Sequence, residues 1–63
     1  MKLSEELRRL LREAGCELVR HGRGDHQIWR SPKTGAMLVV DDGMKSRHIA
    51  NRVLKAAGLP KAF

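Results

Sequence analysis

The chain is nearly devoid of aromatic residues, with one Trp, one Phe and no Tyr among 63 positions. Its core must be filled by Leu, Val, Ile, Ala and Met. A chain of this length buries roughly 60% of the surface its unfolded form exposes, which excludes a second domain and any large enzyme built around a deep cleft. The single cysteine, Cys16, cannot form an internal disulfide, and a fold without staples fits a reducing cytosol. One Cys and three scattered His make no recognisable ligand set, so neither a metal nor another cofactor is expected. No run approaches the roughly 18 apolar residues of a membrane span. No apolar signal segment follows Met1, so a cytoplasmic location is expected.

What the chain does have is charge. Lys and Arg number 13 against 7 Asp and Glu, a net +6. Residues 1–19 hold four basic and four acidic groups, so the whole excess falls in residues 20–63, with nine basic and three acidic groups. Such an imbalance predicts attraction to a polyanion such as nucleic acid, or to an acidic protein partner. A merely solvated basic surface is the plainer reading.

Apolar periodicity places the elements. Leu3, Leu7, Leu10, Leu11 and Ala14 recur at helical spacing, Ser4 offers an N-cap, and Gly15 offers a stop, so residues 4–14 read as an amphipathic helix. Residues 16–20 and 26–30 read as strands around the turn His21-Gly22-Arg23-Gly24-Asp25. Ser31-Pro32-Lys33-Thr34-Gly35 is a second turn. Residues 36–40 are the most apolar strand, expected at the sheet centre or fully covered. Ser46 caps a second helix that Gly58 and Pro60 end. The predicted fold is α+β in the order α-β-β-β-α, a single domain over residues 1–63. Short turns make the three-stranded sheet antiparallel, and both helices bury their stripes on one of its faces. The tail Lys61-Ala62-Phe63 is expected to fray, unless Phe63 folds back on the core.

His26 opens the second strand directly after the glycine-containing turn, and histidine is the side chain suited to proton transfer near neutral pH. Alternation puts His26, Ile28 and Arg30 on one face and Gln27 and Trp29 on the other. Trp29 is the core anchor, so His26 belongs to the open face; a surface histidine beside an ordinary turn is the alternative. Gly22 and Gly24 allow backbone N–H groups to approach a phosphate closely. His21 and His48 have no evident partners, and Cys16 reads as a small core residue. Asp41 and Asp42 point to opposite faces, which suits a turn or a contact with a partner better than a metal. Arg20, Arg23, Arg30 and Lys33, with Lys45, Arg47, Arg52 and Lys55 of the second helix, are candidates for one basic face.

The ordered set of a Leu-rich helix, Gly15-x-x-Leu18-Val19-Arg20, Gly24-Asp25-His26-x-x-Trp29, Pro32, a Val-rich strand and Leu54-Lys55-x-Ala57-Gly58-Leu59 resembles the HicA toxin family over residues 3–59. That family has the element order of a double-stranded-RNA-binding domain. The resemblance implies an mRNA interferase that cleaves RNA without a metal and is neutralised by a HicB-type antitoxin. It places the catalytic histidine at His26, motif positions at Gly24 and Asp25, and the core aromatic at Trp29. Where the family commonly has a Pro-His segment after the third strand, this chain has Asp41-Asp42-Gly43.

RNA carries its own nucleophile, the 2′-OH, so a metal-free enzyme needs a base, stabilisation of the phosphorane and an acid for the leaving oxygen. His26 is assigned as general base or acid. Arg23, the Gly22 and Gly24 amides, Arg30 and Lys33 are the candidates for binding and stabilising RNA phosphate. His21, His48 or solvent completes the proton transfers. A non-catalytic RNA-binding module, and a protein-interaction domain whose basic face meets an acidic partner, are the alternatives.

Overall fold

The computed structural model describes residues 2–24 and 26–63, so the motif position Asp25 lies outside the described residues. The elements follow in the expected order: α1 (Leu3–Glu13), β1 (Glu17–His21), β2 (His26–Arg30), β3 (Met37–Asp41) and α2 (Arg47–Ala56). The strands form an antiparallel meander, β1-β2-β3, with β2 in the middle. No helix among the described residues is long and apolar enough to cross a membrane.

Both helices end by the same local device. Gly15 and Gly58 take the left-handed conformation, with φ of 88° and 80°. The amides of Gly15 and Cys16 return to Arg12 and Leu11, and those of Gly58 and Leu59 to Lys55 and Leu54. These paired bonds satisfy helix-end carbonyls and turn the chain back onto the core, where Cys16 and Leu59 then pack. Two further α2 carbonyls are satisfied from the β2–β3 turn. Ser31 Oγ donates to Ala57 O at 2.7 Å and Thr34 Oγ1 to Ala56 O at 2.8 Å. Ser46 caps the start of α2, its side chain accepting from the Ile49 amide.

The sheet has one covered and one open face. Trp29, Leu38 and Val40 point inward and join Leu7, Leu11, Cys16, Ala50, Leu54 and Ala57 in a single core. Cross-strand partners share a face, so the outer face carries three rungs: His26 with Asp41; Arg20, Ile28 and Val39; and Glu17, Arg30 and Met37. A bulge between Leu18 and Arg20 shifts the phase of β1, which is why Leu18 pairs with Trp29 yet Arg20 pairs with Ile28.

Three expectations need correction. Residues 36–40 are not a central or fully covered strand. In a meander of short turns β2 must be central, and β3, at the edge, leaves Met37 and Val39 about half exposed on the open face. The tail does not fray: Asn51 Oδ1 accepts from the amides of Ala62 and Phe63, and its Nδ2 donates to Phe63 O at 2.8 Å, laying Phe63 against the core. Ser4 is not a cap. The helix begins one residue earlier, Lys2 holds the N-cap position without a side-chain bond, and Ser4 falls on the inward stripe with Leu7 and Leu11. There it is fully buried and its hydroxyl donates to Asp42 O at 2.9 Å. The Asp42 carboxylate in turn accepts both Arg8 guanidinium nitrogens, at 3.2 and 3.3 Å, so α1 is fixed to the end of β3.

Ser4→Asp separates the two roles. At an N-cap the exchange is neutral or favourable. At a buried position beside Asp42 it places a carboxylate against a carbonyl and another carboxylate, and a loss of about 2 kcal/mol or more is expected. In a domain of this size that lowers Tm by roughly 10 °C. An unchanged or raised melting temperature by circular dichroism would contradict the buried role.

Candidate active site

The β1–β2 turn builds the surroundings of His26. The Gly22 amide donates to His26 O at 2.8 Å, and the His26 amide donates to Arg23 O at 3.1 Å. The imidazole folds over the same turn, with Nδ1 at 3.0 Å from Arg23 O. A carbonyl oxygen only accepts, so Nδ1 carries the hydrogen and, in the neutral ring, Nε2 carries the lone pair. Of the two glycines in this turn, Gly22 is the crowded one: a Cβ there would stand 3.3 Å from His26 Cβ, whereas one at Gly24 would meet nothing within 4 Å. The glycine therefore allows the turn to close against the histidine. Its amide is committed to the hairpin, so its contribution to a site is close approach rather than a free donor.

Nε2 faces Asp41. Its distance from Asp41 Oδ2 is 3.6 Å, beyond hydrogen-bond length, and both side chains are about half exposed. An imidazolium there gains an ion pair, while a neutral ring leaves Nε2 open to solvent or substrate. Asp41 is itself held, since its Oδ1 accepts from the Gly43 amide at 2.9 Å. Neighbouring Asp42 turns inward to Arg8 and Ser4, so the adjacent carboxylates do point to opposite faces. Sequence reasoning gave Asp41 a turn role, which it has. It missed that Asp41 stands beside His26, because that contact depends on the β2–β3 register.

The structure separates the remaining candidates. Arg23 is in the same turn as His26, and Gly24 takes a left-handed φ of 58° beside it. Arg30 shares the outer face with His26 but stands four residues along β2, a separation of roughly 13 Å. Lys33 lies in the β2–β3 turn at the other end of the sheet, its Cβ beside Gly58. His21 is exposed and pairs with Gln27 on the side of the sheet opposite His26, and His48 is on α2, so neither accompanies His26. The basic residues thus do not form one face: Arg20 and Arg30 are on the open sheet face, whereas Arg47, Arg52 and Lys55 belong to α2 on the covered side. Among the described residues no three potential ligands converge as a metal site.

A second concavity, of about 640 Å³, opens on the covered side between α1 and the β1–β2 pair. Its floor is Trp29 and Leu18, and the Arg12 guanidinium lies 6.0 Å from the Trp29 ring centroid. Trp29 is only 3% exposed and its Nε1 donates to Gln27 Oε1, so the ring is a core residue with no free face for a nucleobase. Nearby, Glu6 and Glu13 both bond Arg9 and raise its pKa above the ordinary arginine value, so these charges of α1 are satisfied within the helix.

One family comparison bears on the chain as a whole. Residues 4–59 match the family described as HicA toxin of bacterial toxin-antitoxin, and the chain belongs to that family. It is therefore of the toxin class of bacterial toxin–antitoxin systems, whose members act opposite an antitoxin partner. Neither the curated proteins nor the solved structures yield a match.

The hydrogen bond to Arg23 O fixes which nitrogen of neutral His26 is protonated. A two-bond ¹H–¹⁵N spectrum at a pH where the ring is neutral is expected to show predominantly the Nδ1–H form, with Asp41→Asn retaining it. A predominant Nε2–H form in the wild type would show that the turn does not orient the ring.

Proposed function

We propose that this chain is a metal-independent mRNA interferase in which His26 transfers the proton from the attacking 2′-OH, and that a HicB-type antitoxin neutralises it. The observation that carries the reading is the fixed imidazole, with Nδ1 bonded to Arg23 O and Nε2 turned outward beside Asp41. In the reaction, neutral Nε2 accepts the 2′-OH proton as O2′ bonds to phosphorus. The bond from phosphorus to the 5′-oxygen then breaks, and that oxygen takes a proton from the imidazolium or from solvent. The products are a 2′,3′-cyclic phosphate and a free 5′-hydroxyl.

Asp41 favours this cycle by pairing with the imidazolium formed midway. It also repels the phosphate, and the cations offered in compensation are Arg23 in the turn and Arg20 on the neighbouring rung. Arg30 extends the same face along the strand. The distance of Lys33 from His26 leaves it a role, if any, on a longer RNA. The antitoxin is proposed to cover the open face, where Ile28, Val39 and Met37 form an apolar strip flanked by Arg20 and Arg30. That composition suits an apolar surface with an acidic rim.

Cleavage of a single-stranded RNA in excess EDTA tests the reading. His26→Ala is expected to lower the rate by roughly 10²- to 10⁴-fold, with the fold retained by circular dichroism. Asp41→Asn should give a smaller loss, because it removes the ion-pair partner and leaves the base. Equal cleavage by wild type and His26→Ala would overturn the assignment of His26, and RNA binding with no cleavage by either would favour a binding module.

A further inference from the structure

The strongest charge asymmetry of the molecule lies away from His26. Residues 43–63 contain Lys45, Arg47, Arg52, Lys55 and Lys61 and no Asp or Glu. On α2, Ala50 and Leu54 are buried, which turns Arg47, His48, Asn51, Arg52 and Lys55 along one outer flank. The ion pairs among the described residues join carboxylates to Lys2, Arg8, Arg9 and His26, and none reaches this segment. Among the described residues no side-chain carboxylate pairs with the cations of α2, whereas Arg8 and Arg9 of α1 are paired.

The C-terminal tail makes this flank a cleft. Three hydrogen bonds to the Asn51 side chain draw the backbone of residues 62–63 along α2. Lys61 is thereby held opposite Arg52, Lys55 and His48, across a concavity of about 320 Å³ whose floor is Asn51 and Leu59. Three permanent cations and a histidine line it, and no acid does. A free tail would leave Lys61 in solvent with rotamer and backbone entropy to lose; the clamp removes part of that cost before any ligand arrives.

We propose that this cleft binds the phosphodiester backbone of an RNA strand at a site distinct from His26. The inference rests on the reading of the chain as one that acts on RNA. A backbone ligand fits better than an aromatic-reading one, because the lining has no ring system except His48. It fits better than an apolar protein surface, because the side chains offered are charged. Successive helical turns put cations about 5–6 Å apart, a spacing comparable to that of phosphates along one strand. No principal extent of the molecule exceeds 26 Å, so one strand that passes round the edge of the sheet can engage both the cleft and His26.

Binding is best read in the His26→Ala background, where RNA stays intact. The probe is a fluorescent single-stranded oligoribonucleotide of about 16 nucleotides, titrated at several NaCl concentrations. Arg52→Gln/Lys55→Gln is expected to weaken binding on the order of tenfold at 50 mM salt and to flatten the log K against log salt slope by about 1.4, as two lost phosphate contacts require. Lys2→Gln/Arg9→Gln removes the same net charge from α1 and its N-cap, where both cations are paired, and should change the slope by less than half as much. Asn51→Leu keeps every charge but releases the tail, and should weaken binding in protein that circular dichroism shows to be folded at the temperature of the titration.

Equal slopes for the α2 and α1 double variants would reduce the effect to net charge and overturn the site. So would retained RNA affinity in Arg52→Gln/Lys55→Gln accompanied by loss of antitoxin affinity, which would assign the cleft to the protein partner. Failure of wild-type protein to cleave RNA would count against the catalytic reading alone, since these binding measurements do not depend on it.

Discussion

Asp42 is the residue on which the relation between helix and sheet depends. Its carbonyl accepts the buried Ser4 hydroxyl and its carboxylate accepts Arg8, so one residue at the end of β3 anchors the first two turns of α1. A core of about nine buried apolar side chains, with a single large ring among them, leaves little redundancy to hold that angle. The anchor has a second effect through the period of the strand. With Asp42 drawn inward, Asp41 is turned outward, and the register of β2 against β3 places it beside His26. The same two-residue segment thus sets the helix packing and the electrostatic surroundings of the imidazole.

What was legible in the sequence was what local chemistry decides. Ser46 and Gly58 bound α2 correctly, because caps and left-handed glycines act within a few residues. Alternation placed His26 and Trp29 on opposite faces, as strand geometry requires. The failures concern side chains whose partners are distant in the chain. Ser4 has the composition of a cap, yet its partner is 38 residues away. The Ala36–Val40 run is apolar throughout, and nothing in it tells which of its faces a helix will leave bare. Ser31 and Thr34 read as turn residues, and their service to the α2 carbonyls appears only when the turn is laid against the helix end.

The candidate site divides in the same way. The outward placement of His26 was readable from strand alternation. Its partners were not: the Arg23 carbonyl bond depends on how the turn closes, and Asp41 depends on cross-strand register. The basic residues were visible as a total, but composition does not say how helices and strands distribute them. Arg20 and Arg30 lie on the open sheet face and Arg47, Arg52 and Lys55 on the outer flank of α2, so the basic residues do not gather around His26.

The bulge in β1 has a consequence for how the molecule meets other copies of itself. An open sheet face with half-exposed valine and methionine, flanked by edge strands, is the geometry from which strands stack between molecules. At Val19 the regular alternation of donors and acceptors along β1 is interrupted, and the strand twists where a neighbour would need it straight. A foreign strand approaching that edge meets a broken template only a few residues long. The irregularity that brings Arg20 to the outer face also makes β1 a poor seed for intermolecular sheet growth, and leaves the apolar face free for a partner shaped to fit it.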